Sequence, residues 1–333
     1  MRKILSHIFI LLFFKIFSQD NYFVNGSQAL MFVNPSFAGS NGGLRVQNNV
    51  QSDFSNSKNF ITSANSVDFF IKKLNAGVAF SQNYSGVNIN PNQWNSGSFI
   101  SNYFSFTYAQ HLIFKNRDLK IIPSIQISAG RVYVEPYTNS IWQFVLPHFY
   151  SVFNRQQYVL DILPTEYSLY GDISSGLLVN YKRFYFGFSA YHIMSPQLFE
   201  GSLPINTRYS GYASYNLKID EGTLINFSSR FESQNQFNIF QIGANAVLFK
   251  HFMCGLSYLY NSNNAPGSYQ YYPYDFIGFN LGYRHNFFSL SVTNSLSTDG
   301  LHLPFKYGFS EMTLSFNLRN KEQRKALTNF ETW

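Results

Sequence analysis

The sequence contains one cysteine, Cys254, in 333 residues. An internal disulfide and a cysteine-built zinc centre are thereby excluded. Charge is scarce as well: Asp, Glu, Lys and Arg together make up 12% of the chain, about half of what a soluble domain carries. No stretch beyond the first 18 residues is a run of 18 apolar side chains, so no later segment reads as a membrane-spanning helix. A Gly-rich phosphate loop is missing, since Gly42-Gly43 opens a strand-like pattern and not a helix. The histidines after the N-terminal stretch, His111, His148, His192, His251, His285 and His302, are scattered and none has a second ligand at metal spacing. His148 with Asp161 and Ser310 with Glu311 come nearest to acid–base pairs, and nothing in their spacing implies a triad. The sequence therefore reads as that of a non-enzymatic protein that needs no cofactor.

What is present is aromatic and small-polar. Phe, Tyr and Trp reach 19%, while Ser, Asn, Gln and Gly keep the mean hydropathy slightly negative. Between Gly43 and Leu318 the chain falls into fourteen strand-like runs of alternating character. The clearest pair flanks Tyr181-Lys182-Arg183: Gly171–Tyr181, then Phe184–Ile193, where Phe184, Phe186 and Phe188 alternate with Tyr185, Gly187 and Ser189. A period of two makes one strand face apolar and the other small or polar. Runs of this kind, of a length that crosses a bilayer when tilted, predict a transmembrane antiparallel β-barrel of about fourteen strands.

Loop lengths agree with that reading. Every second connection is short, as at Lys72-Lys73, Tyr181-Lys182-Arg183 and Asp220-Glu221, whereas Ser85–Ser96, Glu135–Tyr170 and Asn261–Pro273 are longer. Barrels of the outer membrane have short periplasmic turns and long outer loops. The same parity sends Arg45, Asp53, Asp68, Arg208, Arg230, Glu232 and Glu311 into the lumen, because Arg or Lys on the lipid face costs about 2–4 kcal/mol at mid-membrane. The short-turn side gathers Lys72, Lys73, Lys182 and Arg183, with Arg324 and Lys325 in the basic tail 319–333. These charges either mark the membrane boundary or form a docking surface for a periplasmic partner. The long loop Glu135–Tyr170 carries Tyr137, Trp142, Phe144, Phe149, Tyr150 and Phe153, residue types that dominate binding hot spots; they either engage a partner or pack the loop on itself.

Residues 1–18 read as a signal peptide, with basic Arg2-Lys3, an apolar run and cleavage after Ser18. Its loss removes Arg2, Lys3 and Lys15 and leaves 21 basic residues against 17 acidic ones, an excess too small to point to nucleic acid. Residues 19–42 then form a segment with an Asn-Pro turn before the barrel at 43–318. Here Asn34-Pro35-Ser36-Phe37-Ala38-Gly39-Ser40 resembles the Asn-Pro-Ala-aromatic-Ala-Gly element of the PorP/SprF family of Bacteroidetes outer-membrane proteins. Tyr185-Phe186-Gly187-Phe188-Ser189 with His192, Gly211-Tyr212 with Tyr215-Asn216-Leu217, and Gly308-Phe309-Ser310-Glu311-Met312 are similar to further family elements. The last lacks the family's His beside the Ser-Glu pair, so no role of that His carries over. The resemblance implies an integral outer-membrane component of the type IX secretion system, one that supports secretion and surface attachment of an exported adhesin-like protein with a C-terminal sorting domain. Other secretion components and, for some members, gliding motility come with that implication. A porin for small solutes is the alternative, and the sequence leaves open whether the lumen is open or plugged.

Overall fold

The computed structural model describes residues 22–25, 28–53, 59–88, 98–114, 118–135, 166–197, 204–235, 237–263, 275–298 and 308–318. The expected signal peptide, the aromatic residues Tyr137 to Phe153, and Arg324 and Lys325 lie outside these. Two short turns open the described chain, an α-helical one, α1 (Leu30–Val33), and a 3-10 turn over Pro35–Phe37. The strands that follow are β1 (Leu44–Asp53), β2 (Asn59–Ile71), β3 (Ala76–Asn88), β4 (Ser98–Gln110), β5 (Leu112–Phe114), β6 (Leu119–Glu135), β7 (Glu166–Tyr181) and β8 (Phe184–Tyr191). They continue with β9 (Arg208–Lys218), β10 (Leu224–Gln234), β11 (Phe237–Leu248), β12 (Phe252–Asn263), β13 (Phe276–Arg284), β14 (Phe288–Ser297) and β15 (Gly308–Leu318).

All pairings are antiparallel between chain neighbours, and β1 with β15 closes the ring. β4 and β5 are one strand in two pieces, because Ala109↔Ser124 and Leu112↔Ile121 belong to the same register against β6. The run expected as one strand over Gly97–Phe114 thus breaks at His111, opposite the stretch of β6 that holds Pro123. The His111 amide stays paired on the other edge, donating to the Asn75 carbonyl at 2.7 Å in continuation of the register that sets Ala76 opposite Gln110. Counted this way the barrel has fourteen strands, an even number as the sequence predicts. Other strand ends shift by a few residues. β7 starts at Glu166, five residues before Gly171, because extended backbone runs through that glycine without interruption.

The two faces follow the pleat. Phe80, Phe104, Ile127, Phe186, Phe188, Phe240, Ile242, Leu256, Leu281, Met312 and Phe316 stand exposed on the outside, a belt suited to lipid. Tyr181, Phe184, Phe249, Phe252, Tyr283 and Phe287 add exposed aromatics at the short-turn end, where rings sit well at a bilayer interface. Short turns need unusual backbone: Asn75, Asp118, Lys182, Phe249 and Lys250 all take positive φ. Among the described residues no helix is long and apolar enough to cross a membrane; the strands do the crossing.

Candidate functional site in the barrel lumen

The inside of the barrel holds the chain's own N-terminal segment. From Phe23 to Asn41 nearly every described residue is buried, and the segment joins the wall through Gly42–Gly43 at the start of β1. The stretch expected as a turn feeding the first strand is a plug.

The plug is gripped largely by its main chain. Arg230 on β10 donates to the Phe23 carbonyl at 2.6 Å, with its guanidinium 4.0 Å from the centre of the Tyr22 ring. Arg208 on β9 donates to the Phe32 carbonyl at 3.2 Å, sandwiched between the rings of Phe32 and Tyr191 at 4.5 and 4.2 Å. Tyr191 and Ser189 on β8 donate to the carbonyls of Met31 and Val33 at 3.2 and 2.9 Å. Gln241 and Gln47 do the same for Val24 and Gln28. The plug amides meet carboxylates: Asn25 N donates to Glu311 at 2.9 Å and Gly39 N to Asp68 at 2.8 Å. Unpaired main-chain groups in a dry interior would cost about 1–3 kcal/mol each, so a segment with little regular structure survives there only because the wall completes its hydrogen bonds.

The residues from Asn34 to Gly39 make the tightest fit. Asn34 Nδ2 bridges the wall carbonyls of Leu177 and Phe188 at 3.2 and 3.1 Å, while its Oδ1 accepts the Ser36 amide at 2.8 Å. The wall makes room with glycine, since a Cβ on Gly176 would come within 2.3 Å of Asn34 Oδ1 and one on Gly77 within 1.9 Å of the Ala38 carbonyl oxygen. Pro35 starts the 3-10 turn, Ser36 Oγ lies 2.8 Å from Ser124 Oγ, and Phe37 packs edge-on to Tyr212. The Ala38 carbonyl lies 2.9 Å from His111 Nε2; a carbonyl only accepts, so that nitrogen carries the proton. Gly39, at φ +66°, puts its amide on Asp68. Asp68 also takes Arg45 Nε at 2.7 Å, and Arg45 reaches the Phe37 carbonyl at 3.2 Å.

Of the charges expected inside, Arg45, Asp68, Arg208, Arg230, Glu232 and Glu311 are all buried there. Asp53 ends β1, with its side chain outside those described. Glu232 lies 3.7 Å from Arg230. Ser310, beside Glu311, is only part-buried. Parity also buries Lys120 and Asp172, which sequence reasoning did not single out. Asp172 pairs with His192 Nδ1 at 2.8 Å where the chain leaves β8. The described lumen thus carries four cations, Arg45, Lys120, Arg208 and Arg230, against four carboxylates, Asp68, Asp172, Glu232 and Glu311. A filter that selects by ionic charge uses rings of one sign; this interior is balanced and spends much of its charge on the plug. Two cavities of about 20 Å³ each flank the plug, one lined by Asn49, Ser66 and Gln126 and the other by Asn245, Asn280 and Thr293. Each has room for about one water. Among the described residues no group of three His, Cys, Asp or Glu could hold a metal ion.

Lys72 and Lys73 lie exposed on the β2–β3 turn and Lys182 and Arg183 on the β7–β8 turn, at the end of the barrel where β1 begins and β15 finishes.

Comparison with known proteins shows the family and the fold. The family described as "Type IX secretion system membrane protein PorP/SprF" matches residues 16–316. Among solved structures, the P. putida toluene transporter TodX superposes with a TM-score of 0.53 at 8% identity, covering 88% of this chain and 94% of that one. A TodX deltaS2S3 mutant, a monoaromatic hydrocarbon channel, gives 0.51 at 10% identity over 89% and 95%. The Acinetobacter baumannii outer membrane protein Omp33 covers 83% of this chain and 100% of its own at 10% identity, with a TM-score of 0.43. No curated protein sequence matches the chain.

Proposed function

The chain belongs to the PorP/SprF family of type IX secretion system membrane proteins, an integral barrel of the outer membrane, and from that premise we propose that it acts as a closed anchoring barrel and not as a solute pore. The observation behind the reading is the occupied lumen: residues 22–25 and 28–41 lie in the interior and their main chain is held by buried wall side chains. A general diffusion pore needs a continuous aqueous path, and two cavities beside the plug among the described residues are water-sized. A rigid closed barrel offers its two ends as binding surfaces.

At the long-loop end we assign the exported partner, an adhesin-like protein carrying a C-terminal sorting domain, to the 135–170 loop with Tyr137, Trp142, Phe144, Phe149, Tyr150 and Phe153. At the short-turn end Lys72, Lys73, Lys182 and Arg183, with Arg324 and Lys325, offer positive charge to a periplasmic component of the secretion machine. Mass spectrometry of material co-purified with the tagged protein in mild detergent tests the reading; recovery of one large exported protein or of secretion components is expected. A lone barrel that conducts ions freely in planar bilayers would reverse it in favour of a porin. Deleting residues 137–160 is expected to release the partner from the cell surface while the barrel stays folded, and replacing Lys72, Lys73, Lys182 and Arg183 by Ser to lose only the periplasmic component.

A further inference from the structure

The wall treats the plug as a ligand. Ten wall side chains bond to ten main-chain groups of residues 23–39, eight to carbonyls and two to amides. Such contacts read a polypeptide backbone and are indifferent to most side chains, as in recognition by strand addition, where main-chain bonds give affinity and a few pockets give specificity. Side-chain contacts add the selectivity: a glycine-lined nest for Asn34, the Tyr212 edge for Phe37, polar partners for Tyr22, Asn25, Gln28 and Ser36, and an apolar cluster that buries Leu30, Met31 and Val33. Among the described residues the segment is tied covalently to the barrel only through Gly42–Gly43. Beside an apolar cluster shared by plug and wall, the wall places arginines, glutamines and carboxylates along the plug's backbone, which cohesion alone would not require.

We propose that the lumen is a polypeptide-binding site whose resident occupant, residues 22–41, binds through its main chain and is exchangeable for the same kind of segment supplied by another chain. In the intact protein the tether presents the resident at an effective concentration of about millimolar, so a free segment at micromolar concentration does not compete. Once the tether is cut, or the resident is drawn out, the site accepts an extended chain with Asn-Pro and a nearby aromatic side chain. The proposal concerns the lumen alone and stands apart from the identity of any exported partner.

The experiment uses the full chain with a protease-cleavable Gly/Ser linker inserted between Gly42 and Gly43, cleaved after folding. A fluorescent synthetic peptide of residues 22–41 is added to the cleaved and to the intact barrel. Saturable uptake by the cleaved barrel, loss of its own segment, and no uptake by the intact one are expected. A peptide methylated on the nitrogens of Asn25 and Gly39, which removes the donors to Glu311 and Asp68, is expected to fail. One with Leu30→Met and Met31→Leu, which keeps the buried apolar volume and every main-chain group, is expected to compete. A cleaved barrel that keeps its folded mobility on unheated gels yet takes up no peptide at any concentration would overturn the proposal, as would equal binding of the methylated peptide. A second variant, lacking 22–41 outright and refolded with or without the peptide, gives the same decision: peptide-dependent closure to ions supports exchange, and closure without peptide refutes it.

Discussion

Gly77 on β3 and Gly171 on β7 are both strand glycines, and replacing each by alanine separates the plug from everything else in the barrel. A Cβ on Gly171 meets nothing within 4 Å. Alanine there gains about 0.5–1 kcal/mol of backbone entropy and leaves the barrel unchanged or slightly more stable. At Gly77 the same atom would sit 1.9 Å from the Ala38 carbonyl oxygen and 2.8 Å from the Gly39 nitrogen, where ordinary contact begins at 3.4 Å. The plug must retreat by the difference, about 1.5 Å, which carries Ala38 out of reach of His111, now at 2.9 Å, and strains the Gly39–Asp68 bond of 2.8 Å. Losing one buried hydrogen bond costs about 1–3 kcal/mol, and overpacking by itself costs about 1–3 kcal/mol. The two substitutions should therefore differ in sign. Unfolding in urea, read by the loss of folded mobility on unheated gels, is expected to show a midpoint lower by about 1 M or more for Gly77→Ala. Ion conductance through the reconstituted barrel is expected to rise in parallel. A Gly77→Ala barrel with the same midpoint and the same closure as Gly171→Ala would refute the view that the Asn34–Gly39 element is wedged against the wall.

Arg45 and Asp68 form a buried pair at 2.7 Å; removing either partner alone is expected to cost about 3–5 kcal/mol. The double variant should recover part of that, and a coupling near zero in a double-mutant cycle would place the pair with weak surface bridges. Phe186→Arg on the lipid face is expected to destabilise the barrel by about 2–4 kcal/mol, measured as refolding yield into lipid vesicles against Phe186→Leu. In the β9–β10 turn the Gly222 amide donates to Asp220 at 2.6 Å and holds its carboxyl below the usual range. A depressed carboxyl favours the folded turn above its ordinary pKa and loses that contribution as pH falls through the folded value. Protection of the Gly222 amide, its exchange rate relative to an unstructured amide at the same pH, should thus fall only in the acid range, and Asp220→Asn should flatten that profile.

The wall was legible from the sequence because a barrel imposes one rule on every residue of every strand: Phe184, Phe186 and Phe188 must meet lipid while Tyr185, Gly187 and Ser189 must not. The breaks in legibility have physical reasons. At His111 the alternation continues while the pairing with β6 is interrupted, a break set by the neighbouring strands that leaves no mark in the run itself. β7 reads on through Gly171 because glycine, usually a breaker, sits where nothing opposes it. Residues 22–41 were harder. Much of their placement rests on hydrogen bonds to main-chain carbonyls, which every residue possesses, and the apolar run Leu30–Val33, buried in a cluster with wall residues, does not announce which surface it meets. Arg208 and Arg230 could be placed in the lumen by parity, but what they hold could not. The one local signal was Asn-Pro with Gly39 five residues beyond Asn34, and turn chemistry accounts for it equally well.

The plug's bonds also bear on how the barrel comes together. Asn25 and Glu311 are 286 positions apart, near opposite ends of the chain, and the segment touches β1 early and β15 last. Synthesis delivers the first partner long before the second, so this contact forms only after the β1–β15 seam is within reach. A slip of one residue in any strand would turn its lumen side chains outward and leave Glu311, Arg230 or Asp68 unable to find its place on the segment. The final set of bonds is therefore available only to a ring whose strands are all correctly aligned. By this logic the segment checks assembly: it reports, by locking in, that closure has happened in the right register.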